Sequence, residues 1–277
     1  MVLRLPVRSP GNGTVLKPPP VRTCVQIVGY DTAVGRDDEP CLLLAEEGTV
    51  TRRSIAPGAH LSLRLGDRRC AGVVDGDSHQ PCDREDAPHC AQHTHTWVCA
   101  RCTGTCLKPE MDCHEEHVVY LAAFAPATFK VGVTRSWRFE TRLREQGADR
   151  GAQLRTVPDG RIAREMETEL ATELTDRVRI PTKVAGLARS VREDAWERCC
   201  RRHDATDRRA FDYGLDLSYA PVADTVATGR VRGLKGRLLL LDRGGTTYVT
   251  DCRSLVGHHV EAGEADGDRQ SNLAAFG

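Results

Sequence analysis

The spacing of apolar and polar positions divides the chain into a β-rich beginning, a mixed middle and a β-rich end. CVQIVGY (24–30), CLLLAEEGTVTRRSI (41–55) and HLSLRLG (60–66) have the short, turn-bounded pattern of strands, with a turn at Glu47-Gly48 inside the second. Ahead of them, residues 1–22 are rich in Pro and Gly and predict an extended, weakly ordered lead-in. Residues 72–95 show no periodicity, so without a metal they could not build a core. From Val118 the texture changes. VVYLAAF and FKVGVT read as strands joined through Ala125-Pro126-Ala127-Thr128. SWRFETRLREQG has helical spacing with Gly147 as its stop, and AQLRTVP is a short strand. DGRIAREMETELATELTD predicts a helix opened by Asp159, with Ile162, Met166, Leu170 and Leu174 as its buried stripe. Residues 188–203, with Trp196 and the Cys199-Cys200 pair, predict a further helix.

The end of the chain returns to strands around RLLLLD and TTYVTDC, separated by Gly244-Gly245, and residues after about 262 are expected to be disordered. LLLAEEGTVTRRSIAPG (42–58) and LLLLDRGGTTYVTDCRSLVG (238–257) share a leucine strand, a Gly-containing turn and a Thr-rich return strand. That pattern fits two unrelated hairpins and equally fits two ends that pair into one barrel. The expected class is α+β. Four segments follow: a β segment over 1–69, a Cys/His region over 70–117, an α/β core plus helix over 118–205, and a β segment with a disordered tail over 206–277.

Composition narrows the setting. In 277 residues with 40% apolar content there is no run of about 18 apolar residues. MVLRLPVRSP also lacks the apolar stretch of a signal peptide, so a cytoplasmic protein with no membrane partner is expected. Formal net charge is zero, but residues 135–164 carry eight arginines against four acids. Only five of the 39 basic residues are lysines.

Seven of the twelve cysteines fall between Cys70 and Cys113, among several histidines, which favours metal over disulfide in a cytoplasmic chain. Cys99, Cys102, Cys106, Cys113 and His117 offer one ligand set, and Cys70, Cys82, Cys90 and one histidine offer a second. Close pairs of soft ligands suit tetrahedral Zn²⁺, so one or two structural zinc ions are expected.

The segment from Val118 to Arg177 resembles the GIY-YIG nuclease fold. Tyr120 matches that family's first tyrosine, Val131-Gly132 its Ile-Gly, Arg142 its helix arginine and Glu167 its metal-binding glutamate. Two departures stand beside the match. Lys130 occupies the place of the second tyrosine, and the arginine follows the glycine by two residues more than is usual. The resemblance implies phosphodiester cleavage with Mg²⁺ or Mn²⁺ at Tyr120, Lys130, Arg142 and Glu167, with Arg135, Arg138 and Arg144 holding a nucleic-acid backbone. Chemically the set is coherent: a carboxylate for a hard metal, a phenol or amine for protons, and a guanidinium for developing phosphorane charge. The departures keep open a non-catalytic, zinc-stabilised module for a protein partner. Over residues 70–260 the chain also resembles a larger uncharacterised family, through CTGTCLKPE, HVVYLAAFAPATFKVGVTR, TRLREQGAD, DGRIARE and GLKGRLLLLD. That second resemblance implies no known activity.

Overall fold

In the computed structural model, residues 25–35, 37–94 and 114–262 are described. The chain begins with β1 (Val25–Asp31), β2 (Cys41–Glu46), β3 (Thr49–Ser54), β4 (His60–Arg68), β5 (Val73–Asp75) and β6 (Ser78–Gln80). The middle runs β7 (His117–Phe124), β8 (Thr128–Arg135), a 3-10 turn at Ser136–Arg138, α1 (Phe139–Gln146), β9 (Arg150–Val157), α2 (Gly160–Leu170), α3 (Ile180–Ala185), α4 (Glu193–Arg202) and β10 (Thr206–Ala210). The end is β11 (Val222–Ala223), β12 (Ala227–Lys235), β13 (Leu238–Arg243), β14 (Thr246–Asp251), α5 (Cys252–Leu255) and β15 (His258–Ala262). The α+β class is borne out, with a larger share of strand than of helix.

The two ends share one eleven-stranded sheet in the order β11-β14-β13-β12-β4-β15-β1-β2-β3-β6-β5. They therefore pair, but the expectation of a barrel is corrected. The order runs out at β11 on one side and at the short β5–β6 hairpin on the other, so the sheet stays open. That hairpin also gives structure to part of 72–95, where no periodicity predicted any.

The likeness between the ends has a geometric meaning. Strands β1–β4 and strands β12–β15 occupy equivalent places about a pseudo-two-fold, with the fourth strand of each set exchanged into the other. Gly29 lies opposite Leu43 after an irregularity at Ile27/Gly29, and Gly233 lies opposite Leu240 after one at Val231/Gly233. Leu43 faces Arg52 just as Leu240 faces Val249. Beyond the hairpins, Ile55 N–H donates to Pro40 O (2.8 Å) and Cys252 N–H to Arg237 O (2.9 Å). Gly58 N–H reaches Val231 O (2.8 Å) while Gly257 N–H reaches Ile27 O (2.7 Å). His60 pairs with Arg230, and His259 pairs with Gln26. In the central pairing of β4 with β15, Leu63 and Ala262 face each other, which puts the pseudo-axis between them. Through the exchanged fourth strands, three ladders join the two sets: β12 with β4, β4 with β15, and β15 with β1.

The second sheet, β10-β9-β7-β8, is antiparallel and has β7 inside it. HVVYLAAF is apolar nearly throughout because both faces of β7 are covered. Val119, Leu121 and Ala123 pack with Ala163 of α2 and with Trp196 and Cys200 of α4. Val118, Tyr120, Ala122 and Phe124 pack with Phe139 and Leu143 of α1. Asp159 caps α2 by accepting from Arg161 N–H at 2.6 Å, as the sequence predicts. The predicted stripe of α2 needs a correction at one end. Ile162 is 38% exposed, and Ala163 takes its place in the core alongside Met166, Leu170 and Leu174. Pro181 lies at the start of α3 and fits its first turn, a helix that periodicity did not reveal.

The two sheets meet where α1 ends. Gly147 adopts a left-handed conformation (φ 70°) and stops the helix, and Gly236 turns the chain between β12 and β13 (φ 58°). Their backbones approach so closely that a Cβ on Gly236 would lie 2.7 Å from Glu145 O and from Gly147 N. Lys235 closes the joint with a 2.5 Å ion pair to Asp149, whose other oxygen accepts from Ala125 N–H. Tyr213 OH donates to Ala148 O at 2.9 Å beside it. Two distinctive strings of the sequence, REQGA and GLKG, are thus the two halves of one contact.

Candidate functional site

Two places concentrate chemistry. The first follows β4. Cys70, Cys82, Cys90 and His93 bring three sulfurs and one imidazole nitrogen within 4.8 Å of one another. His93 Nδ1 lies 3.3 Å from Cys70 Sγ and 3.4 Å from Cys90 Sγ. Tetrahedral zinc with bonds of about 2.3 Å to sulfur and about 2.0 Å to nitrogen would separate S and N by roughly 3.5 Å, so the donors fit that ion. Backbone N–H groups of Cys90 (3.3 Å) and Gly72 (3.5 Å) point at Cys70 Sγ and favour its thiolate, but burial outweighs them and the Cys70 pKa is raised. Burial works against the Cys90 thiolate, but N–H groups of Gln92 and His93 together with hydrogen bonds from Cys70 and Cys82 outweigh it, and the pKa is lowered. The cluster could hold a metal ion such as zinc, and the fourth ligand that the sequence left open among several histidines is His93. It is tied to the large sheet through Gln26, whose side-chain amide donates to Cys70 O and Gly257 O.

Of the other predicted ligands, Cys99, Cys102, Cys106 and Cys113 lie outside the described residues. His117 begins β7 and donates from Nδ1 to Glu115 O at 2.6 Å. Gly160, at the start of α2, leaves room for that ring.

The second place is a cleft of about 750 Å³ between the two sheets. Six cationic and three acidic side chains line it, so its field is positive. Lys130 and Arg142 come from the small sheet and α1, Lys183 from α3, and Arg237 from the turn before β13. Tyr30–Thr32, at the end of β1, form part of the wall.

Tyr120 is buried beneath this cleft. Gly132 lies directly opposite it on β8, and any side chain at Gly132 would occupy the space of the Tyr120 ring and hydroxyl. The missing Cβ lets the ring lie across the strand, and its OH accepts from Gln146 Nε2 at 2.6 Å. Burial raises the Tyr120 pKa, Arg142 works against that rise and Glu167 adds to it, so both charges are near the phenol. Lys130 has its pKa lowered by burial and then by Arg142, with Glu167 and Asp176 opposing. The pKa of Lys183 is lowered to about 8, first by burial and then by Lys130 and Arg237. Tyr120, Lys130, Arg142 and Glu167 are therefore electrostatic neighbours around the β8 edge. Three of them already have partners: Arg142 reaches Glu145 (3.1 Å), Glu167 reaches Arg164 (2.6 Å), and Tyr120 has Gln146.

Arg135, Arg138 and Arg144 are not among the residues lining this cleft. Arg135 pairs with Glu115, Arg138 with Glu145 and Arg144 with Glu140, while Arg144 also stacks over Phe211. Lys183, Gln146 and Arg237 escaped the sequence reading. The scarcity of lysine was the available signal, since Lys130, Lys183 and Lys235 are the three lysines among the described residues and all lie at or beside the joint between the sheets.

What emerges is an α+β protein with a Cys₃His cluster on an open sheet and a positive cleft between its sheets. Residues 60–260 match the family described as a protein of unknown function (DUF2797), and the chain belongs to that family. The match covers the exchanged strand β4, the cluster, the small sheet and most of the second strand set. No curated protein and no solved structure matched the chain. Among the described residues no helix is long and apolar enough to cross a membrane.

Proposed function

We propose that this is a zinc-containing nucleic-acid-binding protein whose cleft takes the phosphate backbone and cleaves a phosphodiester there. One observation carries the reading: a 750 Å³ cleft with twice as many cationic as acidic side chains, two of which are the sequence-selected Lys130 and Arg142. Two observations support it. The order of the motif-bearing elements β7, β8, α1 and α2, with β9 between the two helices, parallels the two strands, arginine helix and glutamate helix of the nuclease fold this segment resembles. Tyr120 and Glu167 also lie within electrostatic range of Arg142 and Lys130.

In this reading Arg142 and Lys130 neutralise phosphate charge, which keeps the strand in the cleft and stabilises the pentacoordinate state. Water supplies the oxygen that bonds to phosphorus, the P–O bond to the leaving sugar breaks, and the water proton ends on the departing oxygen. Glu167 is the carboxylate available to Mg²⁺ or Mn²⁺, which would supply Lewis-acid stabilisation when bound. Arg164 at 2.6 Å from Glu167 must then give way to the ion. The cluster at Cys70, Cys82, Cys90 and His93 is a closed, all-protein set, which suits a structural zinc.

The second reading is a zinc-stabilised module that recognises a protein partner without catalysis. It is favoured by the pairing of Arg142 with Glu145 and of Glu167 with Arg164, which leaves both groups engaged within the chain. A nuclease assay on single-stranded and duplex DNA and RNA, with Mg²⁺ or Mn²⁺ and with Glu167→Gln beside the wild type, decides between them. Metal-dependent cleavage lost in Glu167→Gln supports the first. Oligonucleotide binding without cleavage, unchanged by the substitution, removes its enzymatic half.

A further inference from the structure

Lys183 is a half-buried cation of the cleft. Its Nζ donates to Gln146 O at 2.7 Å and lies 4.8 Å from the centre of the Phe124 ring. Among the described residues neither Lys183 nor Lys130 has a carboxylate within ion-pair distance, whereas Arg142, Arg237 and Lys235 all do. Two half-buried ammonium groups thus share one cleft with Arg142 and Arg237; at longer range Asp251 opposes the effect of these cations on Lys183, and Glu167 and Asp176 oppose it on Lys130. A buried cation without a counter-ion is costly, and a bound anion removes the cost. An ammonium is also a compact point charge with three donors, suited to a phosphate oxygen approached from any direction.

We propose that Lys183, together with Lys130, binds a phosphate of the nucleic-acid strand that enters the cleft. The inference rests on the reading of the cleft as a nucleic-acid site and adds a residue from α3, outside the segment that resembles a nuclease. The phosphate takes the place that no side chain fills. Because Lys183 is only partly protonated near pH 8, seating the anion draws a proton onto Nζ. Binding is therefore coupled to proton uptake.

The test uses the full chain carrying Glu167→Gln, without added divalent metal, and a fluorescein-labelled single-stranded 12-mer DNA. Anisotropy titrations from 0.05 to 0.3 M salt compare it with added Lys183→Met or Lys183→Gln. Loss of one phosphate contact reduces affinity about fivefold at 0.1 M salt and makes the salt slope shallower by about 0.7. Calorimetry at pH 8 in two buffers of different ionisation enthalpy reads about half a proton taken up per strand bound, and the uptake falls in both variants. Removing an unpaired cation leaves the fold intact, and circular dichroism of both variants verifies this. Binding by Glu167→Gln with affinity, slope and uptake unchanged by either substitution at Lys183 overturns this inference alone. No binding by any form overturns it together with the nucleic-acid reading.

Discussion

Replacing Gly236 with alanine tests whether the joint between the sheets depends on backbone contact. A Cβ there would lie 2.7 Å from Glu145 O and from Gly147 N, where ordinary contact begins near 3.4 Å, so the turn has to retreat. Retreat pulls Lys235 away from Asp149, a 2.5 Å ion pair between largely buried side chains. The left-handed backbone (φ 58°) adds roughly 1 kcal/mol for any L side chain. Disturbing a buried pair costs up to about 3 kcal/mol more, so a total near 3 kcal/mol is expected. Gly244→Ala is the control, since its φ of 54° is similar and nothing lies within 4 Å of its would-be Cβ. That variant should lose only about 1 kcal/mol. Urea unfolding followed by tryptophan fluorescence measures both. If the two variants agree within about 0.5 kcal/mol, the contact between REQGA and GLKG contributes nothing and the reasoning is refuted.

Three further outcomes follow from the same geometry. Elemental analysis of the purified chain should find zinc, with about one equivalent lost in Cys90→Ser or His93→Ala together with a lower Tm; folded, metal-free wild type would contradict the cluster. Lys183→Met should stabilise the protein by about 2 kcal/mol at pH 7, where the folded state is burdened by a charged, buried amine. Because the folded pKa of about 8 lies below the unfolded value of 10.5, the unfolded chain holds more protons between them. Wild-type stability should therefore rise as pH climbs through that window, and the advantage of Lys183→Met should vanish above it; a pH-independent difference between the two would show the charge to be irrelevant. Tyr120→Phe should cost about 1 kcal/mol by removing the Gln146 bond, and an unchanged urea midpoint would mean that the bond adds no stability.

Much of the fold was legible because local chemistry decided it. Glu47-Gly48 and Gly244-Gly245 all have positive φ, the geometry of tight hairpins, and Asp159 and Gly147 set helix ends through caps that depend on neighbours in sequence. The exchange of β4 and β15 was not legible, since nothing in HLSLRLG says that its partner is a strand almost two hundred residues away. Only the leucine hairpins at 42–58 and 238–257 hinted at it. Ile162 misled because helical spacing fits either of two adjacent stripes, and in the fold it is Ala163 that is buried against the small sheet. At the cleft, Lys130 and Arg142 were visible from a motif. Lys183 and Arg237 come from a helix and a turn that no motif marks, and tertiary packing alone brings them there.

The most direct test of the account is the salt dependence of oligonucleotide binding by the full chain, measured beside the Lys130→Ala/Arg142→Ala double variant. The account predicts that log affinity falls linearly with log salt, with a slope near −2 or steeper, and that the double variant loses most of the affinity and slope. Binding that ignores salt, or a double variant that binds as the wild type does, would contradict it.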